Sequence, residues 1–242
     1  MARKIELNQA TSKGRFQKTE VALKEGTREL RAYFLIVCEG AKTEPNYFES
    51  FPKMAGNLVF DLKFEGGGIS TTKVLEKALE IRDKSSQKFD RIWIVFDKDS
   101  FPEAHFNKAI LDAEEEGIKS AWSNEAFELW YLLHFVYRNT GMSRDEYKKA
   151  IEVQVNTQIK AKTGKAGSFS YKKNDTGMYK TLQDYGNETN AVNWAERLEK
   201  TYTGQKYAKY NPCTTVYKLV RELRGLSKDL KKEIEEKYMK GE

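Results

Sequence analysis

Apolar runs of strand length recur along the first half of this 242-residue chain, each followed by a stretch of helical spacing. No other feature narrows the fold so far. Tyr33-Phe34-Leu35-Ile36-Val37-Cys38 is apolar throughout, as a strand buried on both faces requires. Residues 58–64, then Arg91-Ile92-Trp93-Ile94-Val95-Phe96, then the shorter Lys119-Ser120-Ala121-Trp122 repeat the pattern. Between them lie helix signals. Thr43, Glu44 and Pro45 supply a cap, an acid and a first-turn proline. Val74, Leu75, Ala78 and Leu79 mark one helical face. Ser100 and Glu103 have capping-box spacing ahead of Phe106, Ile110 and Leu111, and Ser123 or Asn124 is placed to cap a helix running through Phe135. Strands alternating with helices in this way predict βαβ units, and so an α/β domain over residues 31–138 with a parallel sheet flanked by helices.

The flanking segments read differently. Residues 1–30 are polar and basic, without a sustained apolar period, and are expected to form a flexible arm. Residues 139–242 are expected to form a helical C-terminal region, with helices near 144–162, 191–202, 212–224 and 228–239. Asn211-Pro212 would be cap and first position of the third of these, and residues 164–177, rich in Gly, Ser and Lys, a loop. An apolar fraction of 39% and an aromatic fraction of 12% suit a packed core. No apolar run approaches the roughly 18–20 residues that span a bilayer, and the N-terminus lacks a signal-peptide pattern. A cytoplasmic protein without a membrane partner is expected.

Two cysteines and two histidines are too few for a disulfide framework or a Cys/His metal site, which directs attention to carboxylates. The formal charge of +6 suggests an anionic partner. Basic residues thicken in the arm (Arg3, Lys4, Lys13, Arg15, Lys18) and again from Lys148 to Lys173, where Lys172 and Lys173, with Lys42 after the first strand, are candidate contacts to a nucleic-acid backbone.

Open α/β sheets bind ligands beyond the carboxyl ends of their strands. The first predicted strand ends in Glu39-Gly40 and the third in Asp97-Lys98-Asp99. On an extended chain, side chains two apart share a face, so Asp97 and Asp99 can converge on one cation. Clustered carboxylates repel unless compensated, and a hard divalent ion with oxygen ligands is a natural compensation. Mg²⁺, or Mn²⁺ in its place, is therefore the expected cofactor. Acids at strand ends also occur simply because loops are solvated, and Asp favours turns.

A strand ending in Glu-Gly, followed later by one ending in DxD, resembles the Toprim pattern of topoisomerases, primases and OLD-type nucleases. More widely, the chain resembles the RloB family. That likeness is carried by Val37-Cys38-Glu39-Gly40-Ala41-Lys42-Thr43-Glu44-Pro45-Asn46-Tyr47-Phe48, by Asn124-Glu125-Ala126-Phe127-Glu128-Leu129-Trp130, and by Asn211-Pro212-Cys213-Thr214-Thr215-Val216. The resemblance implies a Toprim-like, Rossmann-like sheet and a Mg-dependent nuclease acting on DNA or RNA. It also implies a place in anti-phage defence or abortive infection, beside an ABC-type ATPase. Carried over by position, Glu39 transfers protons while Asp97 and Asp99 hold metal. Glu39 can also serve as a ligand. Glu125, expected in the first turn after Asn124, is a candidate outer or second-metal carboxylate, with Glu128 the fallback. The rival readings are a non-catalytic nucleic-acid-binding or regulatory subunit on the same scaffold and, less favoured, a haloacid-dehalogenase-type phosphatase, whose nucleophilic Asp follows the first core strand. His134 is expected to be structural, His105 exposed, and Gly66-Gly67-Gly68 a turn.

Overall fold

A computed structural model describes residues 29–66 and 71–240. The arm expected over residues 1–30 lies almost wholly outside the described residues, as do Gly67 and Gly68. Four parallel strands form the centre of a six-stranded sheet: β1 (Leu30–Cys38), β3 (Leu58–Gly66), β4 (Arg91–Asp97) and β5 (Lys119–Asn124). Two-residue antiparallel strands close the edges, β2 (Met54–Ala55) against β3 and β6 (Cys213–Thr214) against β5, giving the order β2-β3-β1-β4-β5-β6. The described residues thus form a mixed α/β fold.

The apolar run of β1 is buried on both faces, and alternate residues enter different cores. Phe34, Ile36 and Cys38 pack with α4 (Glu128–Leu132), α5 (Arg144–Thr163) and the later helices α6 (Met178–Tyr185), α7 (Glu188–Glu199), α8 (Val216–Leu223) and α9 (Lys228–Lys240). Leu35 and Val37 face α2 (Thr71–Lys84) and α3 (Glu103–Glu115). The helical C-terminal region is therefore half of the sheet's own packing, through a period-2 strand meeting helical stripes on each side.

Four local expectations are corrected. The helix expected from Asn124 starts later, at Glu128, because β5 continues through Asn124, whose backbone pairs with Cys213 of β6 and whose side-chain Nδ2 donates to the Ala208 carbonyl at 2.9 Å. Asn211-Pro212 does not open a helix. It leads into β6, which pairs with Ser123 and Asn124, and α8 begins only at Val216. Pro102, not Ser100, takes the cap position of α3: its backbone is still extended (ψ 137°) while its carbonyl already accepts the Phe106 amide at 3.2 Å, as a cap position requires. Finally, α6 lies in a stretch that carried no expected helix. The stretch 164–177 is free of helix and strand, as expected. Among the described residues, no helix is long and apolar enough to cross a membrane.

Candidate functional site

β1 and β4 are neighbours in parallel register, Cys38 opposite Val95, so Glu39 and Asp97 emerge side by side at one sheet edge. The Glu39 amide extends the ladder to the Val95 carbonyl (2.8 Å), and its carboxylate accepts from the Asp97 amide (3.1 Å). After Glu39 the chain turns tightly at Gly40, where a Cβ would collide with the Glu44 carboxylate. α1 (Thr43–Glu49) then carries Glu44, buried in its first turn, back over the same edge.

The DxD segment does not stay extended. Asp99 takes φ +36°, a conformation that Asp tolerates better than most residues. The bend is held by amide bonds from Lys98 to the Ser123 carbonyl (2.8 Å) and from Asp99 to that of Glu125 (3.1 Å). Asp97 and Asp99 converge all the same, and the group that joins them is a cation from the helical region. Arg144, first residue of α5, places Nη2 3.0 Å from Asp97 and Nη1 3.2 Å from Asp99, with Nε 3.7 Å from Glu128. Ser143 caps that helix in a capping box with Glu146, which fixes where Arg144 projects.

A cavity of about 590 Å³ opens here, lined by Glu39, Glu44, Asp97, Asp99, Glu128 and Arg144, with Lys42 and Lys173. Of the stretch 164–177, Lys173 and Asn174 line the cavity, and the residues before them are tied down beside it. Asn156 on α5 bonds the Phe169 amide and carbonyl (2.8 and 2.9 Å), the Tyr171 hydroxyl donates to Glu128 (3.1 Å), and Thr43 donates to the Lys173 carbonyl (2.9 Å). Five acids thus face three cations. Burial, with the charges of Glu44 and Glu128, pushes the Asp97 carboxyl well above the usual carboxylate range, against the pull of Arg144. Burial also raises Glu44 to about 7; its own backbone bond opposes this, and the charges of Glu128 and Glu39 add to it. One oxygen of Asp97, Oδ1, is buried and makes no hydrogen bond of ordinary geometry, although the Phe127 amide lies near enough to the carboxyl to pull it down somewhat.

The cavity therefore gathers Glu39, Asp97, Asp99, Lys42 and Lys173 from the sequence-based candidates. Lys172 lines a neighbouring depression instead. Glu125 is not among the residues that line the cavity: without the expected helical turn, its backbone carbonyl accepts the Asp99 amide. The fallback, Glu128, lines the cavity. Sequence reasoning missed Arg144 and Glu44. The signal for Arg144 was a cation in a first helical turn, where the dipole disfavours it. His134 is buried and structural, bonded through Nδ1 to the Trp130 carbonyl (3.0 Å), with burial holding it down to about 4. His105 is exposed.

The donor set is oxygen-only, which suits Mg²⁺ or Mn²⁺. Among the described residues, no three His, Cys, Asp or Glu side chains are grouped to hold a metal ion. The described residues thus form no closed cage. The buried Asp97 Oδ1 instead fits a hydrated cation on one or two carboxylates, Asp97 first and Asp99 or Glu39 second.

The sequence of residues 34–223 matches the family model described as RloB-like protein. No curated protein and no solved structure matches the chain.

Proposed function

The chain belongs to the RloB-like family, and from that premise we propose that it is a divalent-metal-dependent nuclease with a Toprim-like site. The observation that carries this reading is the buried Asp97, whose Oδ1 makes no hydrogen bond of ordinary geometry, set beside Glu39 at the ends of adjacent parallel strands. The chain order, Glu-Gly on β1 and DxD on β4, supports the Toprim likeness. Asp97 and Asp99 would hold the cation, which supplies positive charge to the phosphoryl oxygens of a phosphodiester. Glu39, fixed by the Asp97 amide, is placed to accept and return a proton. Lys42 and Lys173 line the cavity and are exposed, so they can meet backbone phosphates without reading bases. An ATPase partner and a role in phage defence complete the proposal, resting on the family resemblance alone.

The test is Mg²⁺- or Mn²⁺-dependent cleavage of a panel of DNA, RNA and tRNA, with and without a co-purified ATPase. Cleavage lost in Asp97→Asn supports the reading, and cleavage unchanged in that variant defeats it. A second reading, a non-catalytic nucleic-acid-binding subunit, is favoured by Arg144 already bridging Asp97 and Asp99. It expects nucleic-acid binding with no cleavage under any metal.

A further inference from the structure

We propose that Arg144 is a phosphate-binding residue, parked on Asp97 and Asp99 and released to a substrate phosphate when a divalent cation takes those carboxylates. This rests on the nuclease reading for its cation, but the phosphate role stands on the geometry of Arg144. A guanidinium presents a planar fork of donors that fits carboxylate and phosphate alike, so one side chain can exchange one partner for the other.

Two other arginines show what a settled guanidinium looks like in this protein. Arg224 grips Glu188 with two nitrogens at 2.6 and 2.7 Å and adds the Tyr179 hydroxyl at 3.0 Å. Arg91 donates to Glu222 at 3.2 Å and to Glu233 at 2.6 Å. Arg144 divides itself among three acids at 3.0, 3.2 and 3.7 Å, and its Nε is buried without a hydrogen-bond partner. Its side chain is 26% exposed and lines the cavity, so it has somewhere to go. Asp97, 7% exposed, likewise keeps one oxygen without a hydrogen bond of ordinary geometry. An imperfectly bonded cation and an imperfectly bonded acid, facing each other in one cavity, are each short of a further partner.

The exchange follows from charge. A divalent ion on Asp97 and Asp99 neutralises the groups that hold Arg144 and repels it at close range. An anion in the cavity reverses that repulsion, and the exposed Lys42 and Lys173 complete a cradle for it.

The decisive variant frees Arg144 without metal. In EDTA, Asp97→Asn/Asp99→Asn should bind inorganic phosphate at least about 10-fold more tightly than the wild-type chain, a gain of about 1.4 kcal/mol. The same comparison is made with a short oligodeoxythymidylate. Adding Arg144→Gln should remove the gain, which separates a guanidinium contact from the general loss of negative charge. A gain with either probe supports the proposal. A gain confined to the oligonucleotide identifies a polymer backbone as the phosphate source. No gain with either, or a gain that survives Arg144→Gln, overturns it. If the double variant does not fold, calorimetric titration of Arg144→Gln with Mn²⁺ decides. Binding several-fold tighter than wild type is expected of a site relieved of its competitor, and equal or weaker binding overturns the proposal. Failure of wild type to cleave any nucleic acid would defeat the nuclease reading while leaving the phosphate measurement to stand by its own result.

Discussion

Two buried acids near opposite ends of the sheet solve the same electrostatic problem in opposite ways. Glu222, on α8, is 3% exposed and lines a cavity of about 680 Å³ beside the start of β5. It receives Lys119 at 2.6 Å, the Trp93 indole at 2.8 Å and Arg91 at 3.2 Å, so both oxygens are bonded. Asp97 is 7% exposed, has Glu44, Glu128 and Asp99 for neighbours, shares Arg144 with the last two and leaves Oδ1 without a hydrogen bond of ordinary geometry. The first cluster is complete as it stands, and cavity size is therefore a poor guide to chemistry here. The second has charge left over. Buried polar groups are normally satisfied, so an exception beside a strand-end crevice is the ground on which we propose a ligand there.

The sharpest way to break this comparison is to remove the acid from each cluster. Glu222→Ala should cost roughly 3 kcal/mol, the low end for breaking a buried ion pair because Lys119 is half-exposed, and leave cleavage unaltered. Asp97→Asn should do the reverse. Cleavage should fall on the order of 10²–10³-fold, the scale for losing a preorganised electrostatic partner, while the metal-free melting temperature holds or rises. Equal loss of stability in both would erase the distinction between them.

The pH dependence of Glu44 sharpens the same contrast. Its carboxyl is raised to about 7 in the folded chain from an ordinary 4.5, so between those values the native state takes up a proton that the unfolded state does not. Stability from this group therefore falls as pH rises through the window. His134, lowered to about 4 from 6.5, acts in the opposite direction over an overlapping range, because the unfolded state takes up the proton there. Its effect cancels when Glu44→Gln is compared with wild type at each pH. In EDTA that difference should favour Glu44→Gln by about 1–3 kcal/mol at pH 8 and vanish near pH 4.5. A flat difference would mean that the acids are better compensated than their surroundings indicate.

Smaller effects are expected at the rim. Neutralising Lys42 and Lys173 should reduce the salt slope of single-strand binding by about 0.7 for each phosphate no longer neutralised. Neutralising Lys172, which lies outside the cavity, should reduce it less. Smallest of all is Glu125→Gln, expected to leave cleavage unchanged, whereas Glu128→Gln should impair it. Reversal of that pair would restore Glu125 to the site.

What could be read along the chain is what depends on neighbours along the chain. The two-faced burial of β1 is written in its unbroken apolar run, and the acids at the ends of β1 and β4 follow directly from those runs, so Glu39, Asp97 and Asp99 were visible as candidates. Other local signals misled because distant partners overrode them. Asn124 has a capping residue's chemistry, yet the Ala208 carbonyl and β6 claim it, and with it goes the helical turn expected to hold Glu125.

The amino-acid sequence by itself determined the alternating α/β order and the acidic strand ends, because period and adjacency are properties of a single segment. Only the tertiary structure decided what surrounds those acids. Arg144 is 47 residues from Asp97, and Glu128 and Glu44 sit on separate helices. They meet because α1, α4 and α5 dock on one face of the sheet, and the direction of that docking is set by packing that no single segment encodes.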